Sequence, residues 1–375
     1  MNIAIVCYPT FGGSGVVATE LGIALSKMGH NIHFVTYHQP VRLDTINTPN
    51  LNFHEVNVPD YPLFKYQPYE LALSSRLVDV VKSNKIDVLH VHYAIPHAYA
   101  AYMAKKMLAD EGISIPIVTT LHGTDITLVG SHPFYKTAVT FSINHSDSVT
   151  AVSESLKQDT LRLFDIKTEI NVIPNFIDVK KLDAKEKPCE RSLLAPTNDK
   201  IITHISNFRP LKRIQDVITV FEKISSQVSS RLLMVGEGPE KAEAMAYVNK
   251  NGLNEKVLFL GNSNEIDKIL CYSDLFLLPS EMESFGLVAL EAMANEVPVI
   301  SSNAGGLSEV NKHGVTGFLS EIGDVTSMAE NALKLLLDDD KLKQFKKQAK
   351  EQAQLFDIDV VVKQYEAIYQ KALEN

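Results

Sequence analysis

Ile3-Ala-Ile-Val-Cys-Tyr-Pro-Thr-Phe-Gly-Gly-Ser-Gly15 decides the fold. Its first five residues are continuously apolar, as in a strand buried on both faces of a parallel sheet. Gly12-Gly13-Ser14-Gly15 is a turn, and the next stretch, Val16 to Met28, reads as a helix that Gly29 stops. Ile32 to Thr36 is a second strand. Strand, glycine turn, helix and strand make the repeating unit of a doubly wound α/β sheet.

The same alternation runs outward from this unit. Strands are predicted over 88–92, 117–121, 148–152 and 170–173, with helices over 68–83 and 97–109 among those between them. Over 178–197 the pattern lapses into a polar, Lys/Glu-rich stretch with Pro188 and Pro196, which reads as a linker. A second series then begins, with strands predicted over 200–205, 231–235, 257–260, 275–278 and 298–301 and helices over 214–226, 241–251 and 285–294. Residues 324–375 read as helical and charged. No sequence period repeats, so the expectation is two doubly wound domains and not a solenoid.

Composition bounds the function. The chain has 375 residues, 45% hydrophobic and 22% charged, which suits two globular domains and excludes wholesale disorder. Its 36 Lys and Arg against 45 Asp and Glu give a net charge of −9. A broad surface for nucleic acid or an anionic membrane is therefore not expected. Cys7, Cys189 and Cys271 lie far apart, without CxxC spacing. They suggest neither a zinc site nor a disulfide framework, and free thiols fit a reducing cytosol. Met1 leads directly into the first strand without a basic flank, so no signal peptide is expected, and no apolar run reaches transmembrane length.

The loops after the strands carry the candidate chemistry. The Gly12–Gly15 turn brings backbone N–H groups and a helix start near a ligand. Its GGxG spacing is not GxGxxG, and Thr36-Tyr37-His38 offers no acid for a ribose, so a tight turn is the competing reading. His90 and His92 share a strand face, with His97 and His122 beyond. Without accompanying acids or cysteines they read better as polar groups at strand ends than as metal ligands. His122-Gly-Thr-Asp125 follows a strand, where such sheets bind ligands, and His122 fits a ligand-bonding histidine or a satisfied core histidine equally. Ser206-Asn-Phe-Arg-Pro-Leu-Lys-Arg213 gathers three basic residues suited to a diphosphate, or is a solvated loop.

Glu281-Met-Glu-Ser-Phe-Gly-Leu-Val-Ala-Leu-Glu291 is the most informative segment. Ser284 is a candidate cap for a helix starting near Phe285 or Gly286. Glu283 precedes that helix, as suits a carboxylate near a helix start. Glu291 lies in its second turn among apolar residues, where a half-buried acid needs a partner such as a hydroxyl pair. Gly236-Glu-Gly-Pro239 and Asn303-Ala-Gly-Gly-Leu-Ser-Glu309 are further glycine turns after strands.

Glu283-x7-Glu291 with Phe285 and Gly286, Val235-Gly-Glu-Gly-Pro239, Gly305-Gly306 and the GGSG loop together resemble the retaining GT-B glycosyltransferases of family 4, over essentially the whole chain. The resemblance implies an α/β fold of the GT-B kind: two doubly wound Rossmann-like domains facing a central cleft. The first would be an acceptor-binding domain over 1–178, with a helix over about 358–375 packing back on it; the second, over 179–357, would bind the nucleotide sugar. Cys7-Tyr-Pro, Phe64-Lys-Tyr-Gln-Pro-Tyr69, His92-Tyr-Ala, Thr119-Thr-Leu-His-Gly-Thr-Asp125 and Ser206-Asn-Phe-Arg209 resemble the members that make the first intermediate of bacillithiol. That implies UDP-N-acetylglucosamine as donor, L-malate as acceptor, retention at the anomeric carbon, a cytoplasmic enzyme and no metal or other cofactor.

Roles follow by resemblance. Glu291 would bind the ribose hydroxyls. Glu283 and the backbone of Ser284, Phe285, Gly286 and Leu287 would hold the donor sugar and diphosphate, with Asn207 and Glu237 also lining the donor site. Lys212 would neutralise the diphosphate. Many members carry Gly-Arg where this chain has Ser206-Asn207, and Arg209 is the nearest replacement for that arginine. His122 would contact the donor sugar or leaving phosphate. Gly13, Ser14 and Gly15 would sit beside the diphosphate, and Ser14, Lys65, Tyr93 and Thr120 would take the acceptor. Lys212, Arg209, Glu283 and His122 are thus the catalytic candidates. Competing readings are another acceptor (an inositol phosphate or a lipid), a sugar-nucleotide epimerase and a non-catalytic sugar-nucleotide binder. Lys105 and Lys106 alone make 99–108 a poor membrane-binding helix. The sequence leaves homo-oligomerisation open.

Overall fold

The alternation of strands and helices folds into two parallel sheets in a computed structural model describing residues 1–10, 12–41, 43, 48–183, 191, 195, 199–263 and 265–374. The chain divides into two compact units, Met1–Phe176 with Ile358–Asn375, and Ile177–Asp357.

The first unit runs β1 (Asn2–Val6), α1 (Ser14–Lys27), β2 (Asn31–Thr36), β3 (Leu51–Glu55), α2 (Tyr69–Asn84), β4 (Val88–His92), α3 (Tyr99–Asp110), β5 (Ile117–Leu121), α4 (Pro133–Asn144), β6 (Ser148–Ala151), α5 (Glu154–Leu163) and β7 (Ile170–Val172). The sheet order is β3-β2-β1-β4-β5-β6-β7, all parallel. The central strands are buried along their whole length, hence their continuous apolar runs. The order reverses between β1 and β4, and such a switch point leaves a crevice at the C-terminal strand ends where ligands bind. The Gly12–Gly15 turn and Tyr93 follow these two strands.

The second unit repeats the plan with α6 (Val179–Asp183), β8 (Lys200–Ile205), α7 (Ile214–Ser225), β9 (Ser230–Val235), α8 (Lys241–Lys250), β10 (Val257–Gly261), α9 (Ile266–Tyr272), β11 (Leu275–Leu278), α10 (Leu287–Ala294), β12 (Val299–Ser302), α11 (Leu307–Val310), β13 (Gly317–Ser320), α12 (Val325–Leu336) and α13 (Asp339–Gln354). Its order, β10-β9-β8-β11-β12-β13, is also wholly parallel and reverses between β8 and β11. On α7, Ile214, Val217, Ile218, Phe221 and Ile224 recur at helical spacing and are buried against the sheet core. Ser153, Asp324 and Asp338 cap α5, α12 and α13 through side-chain bonds to backbone N–H groups of 3.0 Å each.

The last helix, α14 (Ile358–Glu374), belongs to the first unit. Tyr365 and Tyr369 are fully buried there, and a 2.8 Å hydrogen bond joins Tyr369 Oη to His90 Nδ1. Met1's amino group, His30 and Glu366 form a second tie.

The pattern reading missed β3 and β13, both at sheet edges; β3 is only half-buried, so it lacks the continuous apolar run that marks central strands. The linker expected over 178–197 begins as the short helix α6, and much of the rest, with Pro188, Cys189 and Pro196, lies outside the described residues. Cys7 is a buried free thiol, pushed up to about 12 by desolvation. Cys271 is disulfide-bonded, which corrects the expectation of free thiols there; sequence separation does not limit which cysteines meet in a fold. No described helix is long and apolar enough to cross a membrane.

Candidate active site

In the second unit the loops after β8 and β11 meet at the switch point. His204, buried at the end of β8, donates Nδ1–H to the Leu277 carbonyl at 2.9 Å. Its Nε2 therefore accepts the Ser206 hydroxyl proton at 2.8 Å. Ser206 Oγ in turn accepts from the Phe208 N–H at 3.3 Å. This chain of bonds sets the turn that carries Arg209 and Lys212. The Glu281 N–H, bonded to the Leu211 carbonyl at 2.8 Å, clamps the two loops together.

Lys212 Nζ and Glu283 Oε1 form a tight ion pair, their side chains 17% and 12% exposed. Glu283 Oε1 also accepts from the buried Ser280 hydroxyl at 2.9 Å. Partial burial makes this pair stronger than an exposed one, and the second bond fixes the carboxylate. Arg213 is committed elsewhere, to Asp216 at 2.6 Å and Glu281 at 3.9 Å. Arg209 is exposed and has no side-chain partner among the described residues.

The glycine turns are the joints of this loop cluster. A Cβ on Gly238 would stand 2.0 Å from the Asn207 carbonyl oxygen, and one on Gly305 would stand 2.1 Å from that of Glu283. Only glycine admits such contact. The Gly306 N–H bonds the Glu283 carbonyl at 2.9 Å. Gly286, at φ 93°, is the N-cap of α10, with no side-chain cap. The helix therefore starts at Leu287, and Ser284 is not its cap, because the left-handed turn at Gly286 ends the loop two residues later than expected.

The expected donor residues divide in kind. Glu291 is half-buried in α10. Phe285 is core, edge-on to Phe356 at 5.6 Å, so only its backbone faces the loop chemistry. Glu237 is half-exposed and paired with Lys241 at 2.5 Å, and Asn207 is exposed.

In the first unit, Gly13 caps α1 at φ 56°, with no side-chain cap. A Cβ on Gly12 or Gly13 would meet nothing within 4 Å, whereas one on Gly15 would stand 2.5 Å from the Tyr8 carbonyl oxygen. Gly15 seats the turn, and Gly12 and Gly13 leave backbone open at a helix start. Ser14 Oγ and Tyr93 Oη are 2.5 Å apart. Tyr93 has φ 85°, a strained conformation for a tyrosine that often marks a functional turn. Its ring packs against Tyr8 at 5.3 Å and His122 at 5.1 Å.

His122 is half-exposed and stacks on buried His92, with His92 Nδ1 to His122 Nε2 at 2.8 Å. Asp125 accepts backbone N–H groups from Ala94 at 2.8 Å, His122 at 3.2 Å and Gly123 at 3.0 Å, tying the loops after β4 and β5 together. Burial raises its carboxyl to about 6, against the pull of those three bonds. Burial likewise lowers His90 and His122 to about 3 and His97 to about 4, so all are neutral near pH 7.

Two acceptor candidates do not join this group. Thr120 is fully buried, with its hydroxyl 2.8 Å from both His90 Nε2 and Thr150 Oγ1, so it faces the sheet interior and does not present a ligand contact. Strand alternation decides this: Thr120 pairs with His92 in register and lies within the strand, not beyond its end. Lys65 is exposed, 5.5 Å over the Tyr66 ring, with no contact to Ser14 or Tyr93. A cavity of about 480 Å³ lies beside Tyr8, Tyr37, Glu55, Gln67 and Tyr69. Among the described residues no group of three His, Cys, Asp or Glu could hold a metal ion. Sequence reasoning missed Tyr8, Asp125, His204 and Ser280. Asp125 carried a usable signal, since an aspartate in a post-strand loop commonly bonds nearby backbone N–H groups. The other three had none.

Two family models match the chain: Glycosyltransferase Family 4 over residues 11–181 and Glycosyl transferases group 1 over 187–352. The chain is 46% identical to N-acetyl-alpha-D-glucosaminyl L-malate synthase of Bacillus anthracis, covering 100% of this chain and 98% of that one. It is 21% identical to the GPI3 subunit of phosphatidylinositol N-acetylglucosaminyltransferase of Saccharomyces cerevisiae, over 89% of this chain and 75% of that one. Among solved structures, Anabaena Alr3699/HepE in complex with UDP and glucose superposes with a TM-score of 0.82 at 21% identity, covering 99% of each chain. Sucrose-phosphate synthase from Thermosynechococcus elongatus superposes at 0.80 and 20%, covering 99% of this chain and 98% of that one.

Proposed function

The chain belongs to the family 4 glycosyltransferases, and from that premise we propose that it transfers N-acetylglucosamine from UDP-N-acetylglucosamine to the hydroxyl of L-malate with retention, the first step of bacillithiol biosynthesis. The Lys212–Glu283 pair at the β8–β11 switch point carries the reading of the chemistry. The 46% identity to the malate synthase supports the choice of sugar and acceptor.

The nucleotide falls to the second unit. Glu291 holds the ribose hydroxyls, the uncapped start of α10 receives the diphosphate, and Lys212 and Arg209 meet its charge. The acceptor falls to the first unit, at the open backbone of Gly12 and Gly13 and the Ser14–Tyr93 hydroxyl pair; in this role the α1 start and two hydroxyls supply the donors that malate's carboxylates need. The bond from the anomeric carbon to the diphosphate oxygen breaks and the malate hydroxyl oxygen bonds to that carbon on the same face. The hydroxyl proton passes to the departing phosphate oxygen, so atoms and charge balance without a protein nucleophile. Fixed charge aimed at the leaving group supplies most of the rate. Two charged, water-soluble substrates suit the cytoplasm.

UDP release from UDP-N-acetylglucosamine, measured with L-malate, D-malate, inositol phosphate or no acceptor, tests the reading. Fast release with L-malate alone is expected. Release only with inositol phosphate would replace the acceptor, and release equal in all four would reduce the activity to hydrolysis.

A further inference from the structure

His122 is the half-exposed end of a buried chain of rings, and the proton on its ring is set from behind. His97 Nδ1 lies 2.5 Å from the His92 carbonyl oxygen, which only accepts, so His97 carries its proton on Nδ1. That bond holds the backbone of residue 92. The His92 ring itself makes one hydrogen bond, 2.8 Å from Nδ1 to His122 Nε2, and its own Nε2 is buried with no partner. Both rings are neutral, because burial lowers each one. One proton therefore sits between them, with two possible owners.

If His122 owned it, the second proton of the pair would lie on His92 Nε2 as a buried, unbonded N–H. Orphaned N–H groups are rarer in folded proteins than orphaned acceptors. If His92 owns it, only a lone pair is left unmatched, and the His122 proton moves to Nδ1, which has no partner among the described residues. We propose that His92 is a positioning residue: it donates Nδ1–H to His122 Nε2 and so fixes His122 as a ring that offers an Nδ1–H donor to the ligand. An N–H is the polarity that a leaving diphosphate oxygen or a sugar hydroxyl oxygen needs, and a bare Nδ1 would repel the first. Neither nitrogen of His90 competes, since Tyr369 and Thr120 occupy both. The role in transfer rests on the proposed function; the tautomer does not.

The test has two readouts. Long-range proton–nitrogen correlation spectra of the full chain labelled in histidine, with His122 assigned by the spectrum of His122→Gln, should show Nδ1 protonated and Nε2 bare. A protonated Nε2 in the wild-type chain overturns the proposal, and this outcome does not depend on the substrates being right. In kinetics, His92→Phe removes the donor and should lower kcat about tenfold, the effect of one lost neutral hydrogen bond with its partner left unmatched, with KM for UDP-N-acetylglucosamine little changed. His92→Asn keeps an N–H near the place of Nδ1 and should retain most of kcat. In a His122→Ala background, His92→Phe should add nothing. Equal losses in His92→Asn and His92→Phe, or losses that multiply across the pair, would assign His92 a packing role only. If His92→Phe fails to fold, the wild-type spectrum decides.

Discussion

At the scale of single residues, Lys212 and Glu283 pair at the mouth of the β8–β11 crevice, so an anion reaching Lys212 competes with a carboxylate already fixed by Ser280. On the proposed function, charge on the leaving diphosphate grows as the glycosidic bond breaks, so Lys212 would gain most in the transition state. Lys212→Ala should therefore lower kcat by about 10²–10³, roughly 2.7–4 kcal/mol, with a smaller change in KM. Wild-type kcat in steady-state UDP release would remove Lys212 from that role. Glu291→Ala should act differently, weakening UDP itself by about tenfold or more through loss of a hydroxyl-pair partner. Titration calorimetry separates the two, and unchanged UDP affinity would contradict the ribose assignment. These residues were legible in the sequence because a Lys in a basic post-strand loop and an acid among Val, Ala and Leu both demand an explanation. His204 and Ser280 were not, because one buried histidine and one serine give no pattern until their partners Leu277 and Glu283 come together.

At the scale of elements, the loops of the proposed site are seated by glycines rather than by long side-chain networks. Gly305 sits at φ 52° with its missing Cβ 2.1 Å from the Glu283 oxygen. Gly305→Ala should cost about 1–3 kcal/mol and lower the melting temperature of the chain by roughly 2–4 °C per kcal/mol, with a fall in activity as Glu283 shifts. Gly12→Ala, at a site open on all sides, should leave the melting temperature within a degree. Equal melting shifts in the two variants would contradict this division. The central strands and amphipathic helices were readable because burial on both faces writes a continuous apolar run and α7 writes a 3.6-residue stripe. The edge strands β3 and β13 wrote neither. The start of α10 was misplaced because serine is the better cap in general, and only the left-handed geometry of Gly286 decides otherwise.

At the scale of the whole molecule, the composition showed a net charge of −9, while the fold assembles neutral histidines in its interior. His90 and His122 fall to about 3, and His97 and His204 to about 4, against 6.5 when unfolded. Below pH 6.5 the unfolded chain takes up protons that the folded chain refuses, so this stability is complete above pH 6.5 and is lost as pH falls. Asp125, raised to about 6, acts oppositely, since its folded form takes a proton first and gains stability between pH 6 and the ordinary carboxyl range. With His33 also lowered to about 4 and His92 well below its ordinary value, the histidines outweigh one carboxyl. At pH 5.5 each histidine costs on the order of 1 kcal/mol, and the melting temperature should fall by about 10 °C between pH 7.5 and 5.5. A flat or rising melting temperature over that range would mean the histidines are not buried as neutral rings. The return of α14 to the first sheet, through Tyr369 and His90, belongs to this scale too. Its residues read locally only as helical, since nothing in them names a partner 279 residues away, and the packing of 358–375 on the first domain was expected from the family resemblance alone.

The central claim, retaining transfer of N-acetylglucosamine to malate, is tested most directly by following the anomeric proton by NMR as the protein acts on UDP-N-acetylglucosamine and L-malate. The account predicts that the α-anomeric signal of the sugar nucleotide is replaced by a single new α-anomeric signal coupled to malate, with one UDP formed for each. A β-linked product, free N-acetylglucosamine, or an epimerised sugar nucleotide formed without malate would contradict it.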